Sequence, residues 1–145
     1  GQGSGACAAV AARAALGLGA RLRIVGVVSR HAPTYALSIA AGRVVEAPVS
    51  TQLADGMACR VADEAALAIL APALDHVVQV SDDEIAAAMR LAFTATHNTA
   101  EGAGAAALAA AWQERAALRG QRVGLALSGG NVDAAVFARV LADGV

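Results

Sequence analysis

The stretch Leu127-Ser128-Gly129-Gly130-Asn131-Val132-Asp133 decides how this chain is read. Before it lies Val123-Gly124-Leu125-Ala126-Leu127, an apolar run that predicts a buried strand over residues 122–127. After it, Ala134-Ala135-Val136-Phe137-Ala138-Arg139-Val140-Leu141 predicts a helix. A strand, a tight glycine turn and a helix N-terminus bring the Ser128 hydroxyl and several backbone N–H groups to the carboxyl edge of a sheet. Open α/β sheets bind ligands at that edge. Read alone, Gly129-Gly130-Asn131 is just as simply a strand-to-helix turn. A second glycine loop at the other end of the chain tilts the reading toward a ligand.

That loop is Gly1-Gln2-Gly3-Ser4-Gly5, which feeds an alanine-rich helix over residues 6–16 closed by Gly17 and Gly19. Glycines let backbone N–H groups approach an anion, and the helix dipole favours negative charge there. A phosphate is the natural occupant; a flexible chain end has the same composition. A Rossmann fingerprint is disfavoured, because its G-x-x-G spacing is missing.

Between the two loops the order is regular. Residues 22–29 predict a β-branched strand of the kind covered on both faces. Residues 34–41 predict a helix closed by Gly42, and residues 43–46 a short extended piece. Leu53-Ala54-Asp55-Gly56-Met57-Ala58 reads as a turn that is also a candidate active-site loop. Residues 63–74 predict a helix with Asp63 as N-cap, weakened near its end by Pro72. Residues 76–80 predict a strand. Ser81-Asp82-Asp83-Glu84 is a capping box, an acidic cluster explained by helix initiation and not by metal binding. Its helix runs to about Thr96, with Ile85, Met89 and Phe93 facing the core. A polar, glycine-bearing break holding Glu101, Gly102 and Gly104 precedes a helix over residues 105–118, where Trp112 is expected to pack against a neighbour. Helices alternating with strands predict an α/β fold: an open, mostly parallel sheet flanked by helices.

Composition removes several classes of function. The 145 residues suit one domain. Hydrophobic residues make up 57% and aromatics 3%, so the apolar character is mainly alanine. Every apolar run is too short to span a bilayer, and a formal net charge of −1 points to neither nucleic acid nor a membrane surface. The opening has no basic n-region, so no secretory leader is expected in these residues. Cys7 and Cys59 form no zinc or CxxC pattern and are expected as buried free thiols in a reducing cytoplasm. All eleven basic side chains are arginine. Chemistry that needs a lysine amine cannot be completed by this chain alone.

Four stretches taken together resemble the threonine dehydratase/serine racemase group of fold type II pyridoxal-phosphate enzymes, over the C-terminal half of the catalytic domain. They are the opening glycine loop with its helix, Ala54-Asp55-Gly56, Val78-Gln79-Val80-Ser81-Asp82-Asp83-Glu84-Ile85, and Glu101-Gly102-Ala103-Gly104-Ala105 followed by Leu127 to Asp133. The resemblance implies a three-layer α/β/α fold of which residues 1–145 are the C-terminal portion. Gly1, Gln2, Gly3, Ser4 and Gly5 match the loop whose amides bind the cofactor phosphate; Gln2 and Ser4 depart from the usual four glycines. Ser128, followed by Gly129, matches the hydroxyl that hydrogen-bonds the pyridine nitrogen. A neutral partner there leaves the nitrogen mostly unprotonated and suits β-elimination. Glu101 matches a carboxylate near the ring and substrate. The Schiff-base lysine lies upstream in the family, so no catalytic residue is expected in this chain. Some members hold a divalent cation at positions matched here by Val28 and Thr34, which lack carboxylates, so no metal is expected there. The implied activity is a lyase of amino-acid metabolism, a threonine or serine dehydratase that eliminates water from a hydroxy amino acid, the enamine then hydrolysing to a 2-oxo acid and ammonia. The implied partners are the missing N-terminal portion and a second copy in a homodimer. A racemase or another β-eliminating enzyme on the same scaffold is the nearest alternative, and a non-catalytic phosphate-ligand module is the rival from another class.

Overall fold

The computed structural model describes residues 4–142. Helix α1 (Ser4–Ala15) is followed by strand β1 (Val25–Ser29), helix α2 (Thr34–Ala41) and helix α3 (Glu64–Leu70). Strand β2 (His76–Val80), helix α4 (Asp82–Thr96), helix α5 (Gly102–Gln113) and helix α6 (Ala134–Ala142) complete the order. The strands pair in parallel, from Val25 opposite His76 to Ser29 opposite Val80. Helices flank this small parallel sheet, as an α/β fold requires. Among the described residues no helix is long and apolar enough to cross a membrane.

Local chemistry sets the helix ends. At the end of α1, Gly17 adopts φ 61°, and the Leu18 amide reaches back to the Arg13 carbonyl at 3.1 Å. Gly42, at φ 65°, closes α2 in the same way, with the Arg43 amide on the Ser38 carbonyl at 3.2 Å. Asp63 caps α3 by accepting from the Ala66 amide at 2.8 Å. Ser81 and Glu84 form the expected capping box of α4, with the Glu84 carboxylate accepting from the Ser81 amide at 2.7 Å. That amide bond, ahead of the Gln113 amide and Arg30, holds the Glu84 carboxyl below its ordinary value against the opposing effect of partial burial.

The main core lies between α4, α5 and the sheet. Ile85 and Met89 of α4 are fully buried, each stabilising the fold by about 1.5–3 kcal/mol through apolar burial. Ala105, Ala106, Ala109 and Ala110 of α5 pack against them, and small side chains let the two helices approach closely. Phe93 meets Phe137 of α6 edge to face at 5.4 Å. A second cluster joins Tyr35, Cys59, Ala62 and Leu70, and α1 lays Ala6, Cys7 and Val10 onto it. Burial pushes the Tyr35 and Cys59 pKa values up. Both cysteines are free; Cys59 is buried and Cys7 half-buried. The buried hydroxyls have partners: Thr34 donates to the Cys59 carbonyl at 2.7 Å, Ser38 accepts from the Val45 amide at 3.0 Å, and Ser29 accepts from the His31 amide at 3.1 Å.

Several expectations need correction. Residues 122–127 form no strand, and Val123, Leu125 and Leu127 are 45–48% exposed. A strand exists only as half of a ladder, and among the described residues only β1 and β2 supply one. Trp112 is 58% exposed and carries the Arg115 guanidinium 5.3 Å above its ring, instead of packing on a neighbouring element. It falls at the edge of the alanine face, in the last turn of α5. Helix α3 stops at Leu70, before Pro72, and gives way to a turn over residues 71–73. Strand β1 starts at Val25, three residues later than expected. Residues 43–46 reduce to a single antiparallel bridge between Glu46 and Val61. Helix α5 begins at Gly102 and ends at Gln113, earlier at both ends than predicted.

Candidate functional site

The early start of α5 builds the site. Glu101 occupies the N-cap position, with extended backbone (φ −74°, ψ 167°) and no side-chain capping bond. Its amide donates to the Gly129 carbonyl at 3.0 Å. This single bond ties the turn Ser128-Gly129-Gly130 to the start of α5. A Cβ placed on Gly129 would overlap the Glu101 carboxylate, and one on Gly104 would overlap the Gly129 carbonyl oxygen. A Cβ on Gly130 would come within 2.6 Å of the Thr99 carbonyl oxygen. The glycines are there because two backbones and a carboxylate occupy the space side chains would need.

A third segment closes the corner. The 3₁₀ turn Asp55–Met57 follows fully buried Ala54. A Cβ on Gly102 would overlap the Leu53 carbonyl oxygen; one on Gly56 would lie 2.9 Å from the Ala103 methyl and 3.8 Å from Glu101 Oε1. The Glu101 carboxylate thus sits between two glycine backbones, Gly56 and Gly129, at the positive end of α5.

The structure places the sequence candidates unequally. Glu101 and Gly129 meet, with Ser128 next in the chain. Ser128 is exposed, and its hydroxyl makes no hydrogen bond among the described residues. Gly1, Gln2 and Gly3 lie outside the described residues. Ser4 opens α1, and Gly5, in its first turn, is exposed, with nothing among the described residues within 4 Å of where a Cβ would be. Thr34, one of the two positions matched to a cation site, already gives its hydroxyl to the Cys59 carbonyl. In the sequence, Gly102 and Gly104 read as a break in the chain. Two glycines one residue apart directly after a helix-starting glutamate were the available sign that backbones cross there.

The residues present suit a flat, hydrogen-bonding ring. Glycines at 56 and 129 remove the side chains that would cover the carboxylate, and Ser128 offers an exposed hydroxyl beside them. The first-turn amides of α1 have no partner within the helix, as at every helix start. A phosphate is the matching anion.

Comparison with known proteins agrees with this chemistry. Residues 1–129 match the pattern that defines the family of pyridoxal-phosphate dependent enzymes. The chain belongs to that family. It is 35% identical over 124 residues to an L-threonine ammonia-lyase of Geobacter sulfurreducens, covering 86% of this chain and 31% of that protein. It is 36% identical over 142 residues to a putative threonine dehydratase of Sinorhizobium fredii, covering 97% and 42%. Among solved structures it resembles a threonine deaminase of T.th., with TM-score 0.82, 34% identity and coverage of 92% and 48%. The chain therefore spans between about a third and a half of the length of these relatives.

Proposed function

We propose that residues 1–145 are the C-terminal portion of the catalytic domain of a three-layer, fold type II pyridoxal-phosphate enzyme, a threonine or serine dehydratase. The reaction eliminates water from a hydroxy amino acid, and a water molecule then hydrolyses the resulting enamine to a 2-oxo acid and ammonia. The observation that carries the reading is the corner where the Glu101 amide holds the Gly129 carbonyl, with the Ser128 hydroxyl exposed beside it.

The cofactor, when bound, supplies an electron sink for the pair left on the substrate's α-carbon. This chain holds and orients. Gly1, Gln2, Gly3, Ser4 and Gly5 would give backbone amides to the phosphate, with the α1 dipole adding to them. The exposed Ser128 hydroxyl would donate to the ring nitrogen, leaving it unprotonated. Gly129, with no side chain, would leave room for the ring. Glu101 would hold a carboxylate near the ring and the substrate. The proton-abstracting lysine must come from outside this chain, because the chain has none. A cytoplasmic homodimer of the complete enzyme belongs to the same reading. Racemisation of serine is a second reading, favoured by the likeness to maize serine racemase (TM-score 0.76, 27% identity).

The test is the protein at full coding length, supplied with pyridoxal phosphate and L-threonine or L-serine. Release of 2-oxobutanoate or pyruvate with equimolar ammonia supports the proposal. D-serine without 2-oxo acid would move the assignment to the racemase, and neither product from either substrate would overturn it.

A further inference from the structure

Asp82 is the first residue of α4, where any carboxylate gains from the helix dipole. Its bonds reach further. Oδ1 accepts from the Thr51 hydroxyl at 2.6 Å, and Oδ2 accepts from the Gln52 amide at 2.7 Å. The Thr51 oxygen in turn accepts from the Ala54 amide at 3.0 Å. One carboxylate therefore closes the turn over residues 51–54, thirty-one positions away in sequence. The neighbouring acids do other things. Glu84 is spent on the Ser81 amide and on the Gln113 side chain. Asp83 is exposed and makes no side-chain hydrogen bond among the described residues.

The turn held by Asp82 leads straight into the site. Its Leu53 carbonyl sits against Gly102, and two residues past buried Ala54, Gly56 faces Glu101. A shift of the turn moves both contacts at once. We propose that Asp82 is a positioning residue: by fixing residues 51–54 it sets where the Leu53–Gly56 backbone meets Glu101 and Gly102, and so the space left beside the Glu101 carboxylate. The catalytic consequence rests on the proposed function; the tether itself does not.

The experiment uses the full-coding-length protein with Asp82→Asn, Thr51→Val, Thr51→Ser and, as control, Asp83→Asn. The control makes the same charge change in the same helical turn. Three quantities are read: amide hydrogen exchange over residues 51–57, the dissociation constant for pyridoxal phosphate, and kcat and KM. Asp82→Asn and Thr51→Val should speed exchange in the loop by about tenfold or more and weaken cofactor binding by a similar factor, as loss of a charge-assisted hydrogen bond does. They should lower kcat/KM by about ten- to a hundredfold. The double variant should be little worse than either single one. Thr51→Ser, which keeps the hydroxyl, should stay near wild type, as should Asp83→Asn. If Asp82→Asn behaves like Asp83→Asn in loop exchange and cofactor affinity, the proposal is overturned. Should Asp82→Asn fail to fold, the contrast between Thr51→Val and Thr51→Ser decides it. A wild-type protein that makes no 2-oxo acid yet shows the exchange pattern would overturn the proposed function and leave the tether standing.

Discussion

Gly104→Ala tests the backbone crossing that builds the site. In an open helix the change would stabilise by about 0.5–1 kcal/mol, because alanine loses less conformational freedom than glycine. Here the new methyl overlaps the Gly129 carbonyl oxygen, which is also the acceptor for the Glu101 amide. Inserting a methyl into a packed contact costs about 1–3 kcal/mol, and losing the hydrogen bond adds about 0.5–1.5 kcal/mol. The net expectation is a destabilisation of about 2 kcal/mol. Gly5→Ala is the matched comparison. It also lies in the first turn of a helix, but nothing among the described residues stands within 4 Å of its Cβ position. It should be neutral or stabilise by up to about 0.5 kcal/mol. Urea unfolding of the full-coding-length protein at pH 7 measures both, with unchanged m-values as the check that the same transition is followed. Equal effects of the two substitutions, or a Gly104→Ala protein as stable as wild type, would refute the close approach.

Three further outcomes follow from particular side chains. Ser128→Ala should weaken pyridoxal phosphate binding by about three- to tenfold while leaving the unfolding midpoint nearly unchanged, since the hydroxyl is exposed and unbonded within the described residues; cofactor fluorescence titration checks it. His76 is bonded to Asp75 at 2.9 Å and Glu114 at 2.8 Å, and Asp75 first, then Glu114, raises its pKa. Its contribution is therefore complete below about pH 6.5 and is lost as pH rises through the raised folded value; the group is 41% exposed, so His76→Gln should remove only a few tenths of a kcal/mol, confined to the acidic side. The lowered Glu84 carboxyl works oppositely, stabilising above about pH 4.5 and failing as pH falls through its folded value, so Glu84→Gln should flatten the acid limb of the unfolding curve.

The parts of the fold legible in the sequence were those decided by neighbours in the chain. Ser81 and Glu84 announce their helix because both halves of the capping box lie within four residues. Gly42 announces the end of α2 because a left-handed residue is needed at that spot. The Ser128–Gly129 turn and Glu101 were legible as site candidates by residue type and order. What was not legible depended on distant contacts. Gly102 and Gly104 looked like a loop because glycine disfavours helices, yet the Leu53 and Gly129 carbonyls leave room for nothing larger. Residues 122–127 carry the pattern of a strand, but a pattern states which face could be buried and cannot supply the neighbouring strand. Asp82 read as a helix-starting acid beside the capping-box glutamate, and only the fold shows that it reaches Thr51.

The cluster beneath α1 has an experimental consequence. Cys59 is buried there at 7% exposure, with its thiol pKa raised by burial, while half-buried Cys7 rides on α1, which packs against the same cluster. A thiolate-selective alkylating reagent should therefore label Cys7 first. Cys59 reacts only after the cluster that buries it opens, so its labelling rate reports the free energy of that opening. The two thiols turn the opening of this cluster into a quantity readable by intact-mass spectrometry, one mass increment for each event.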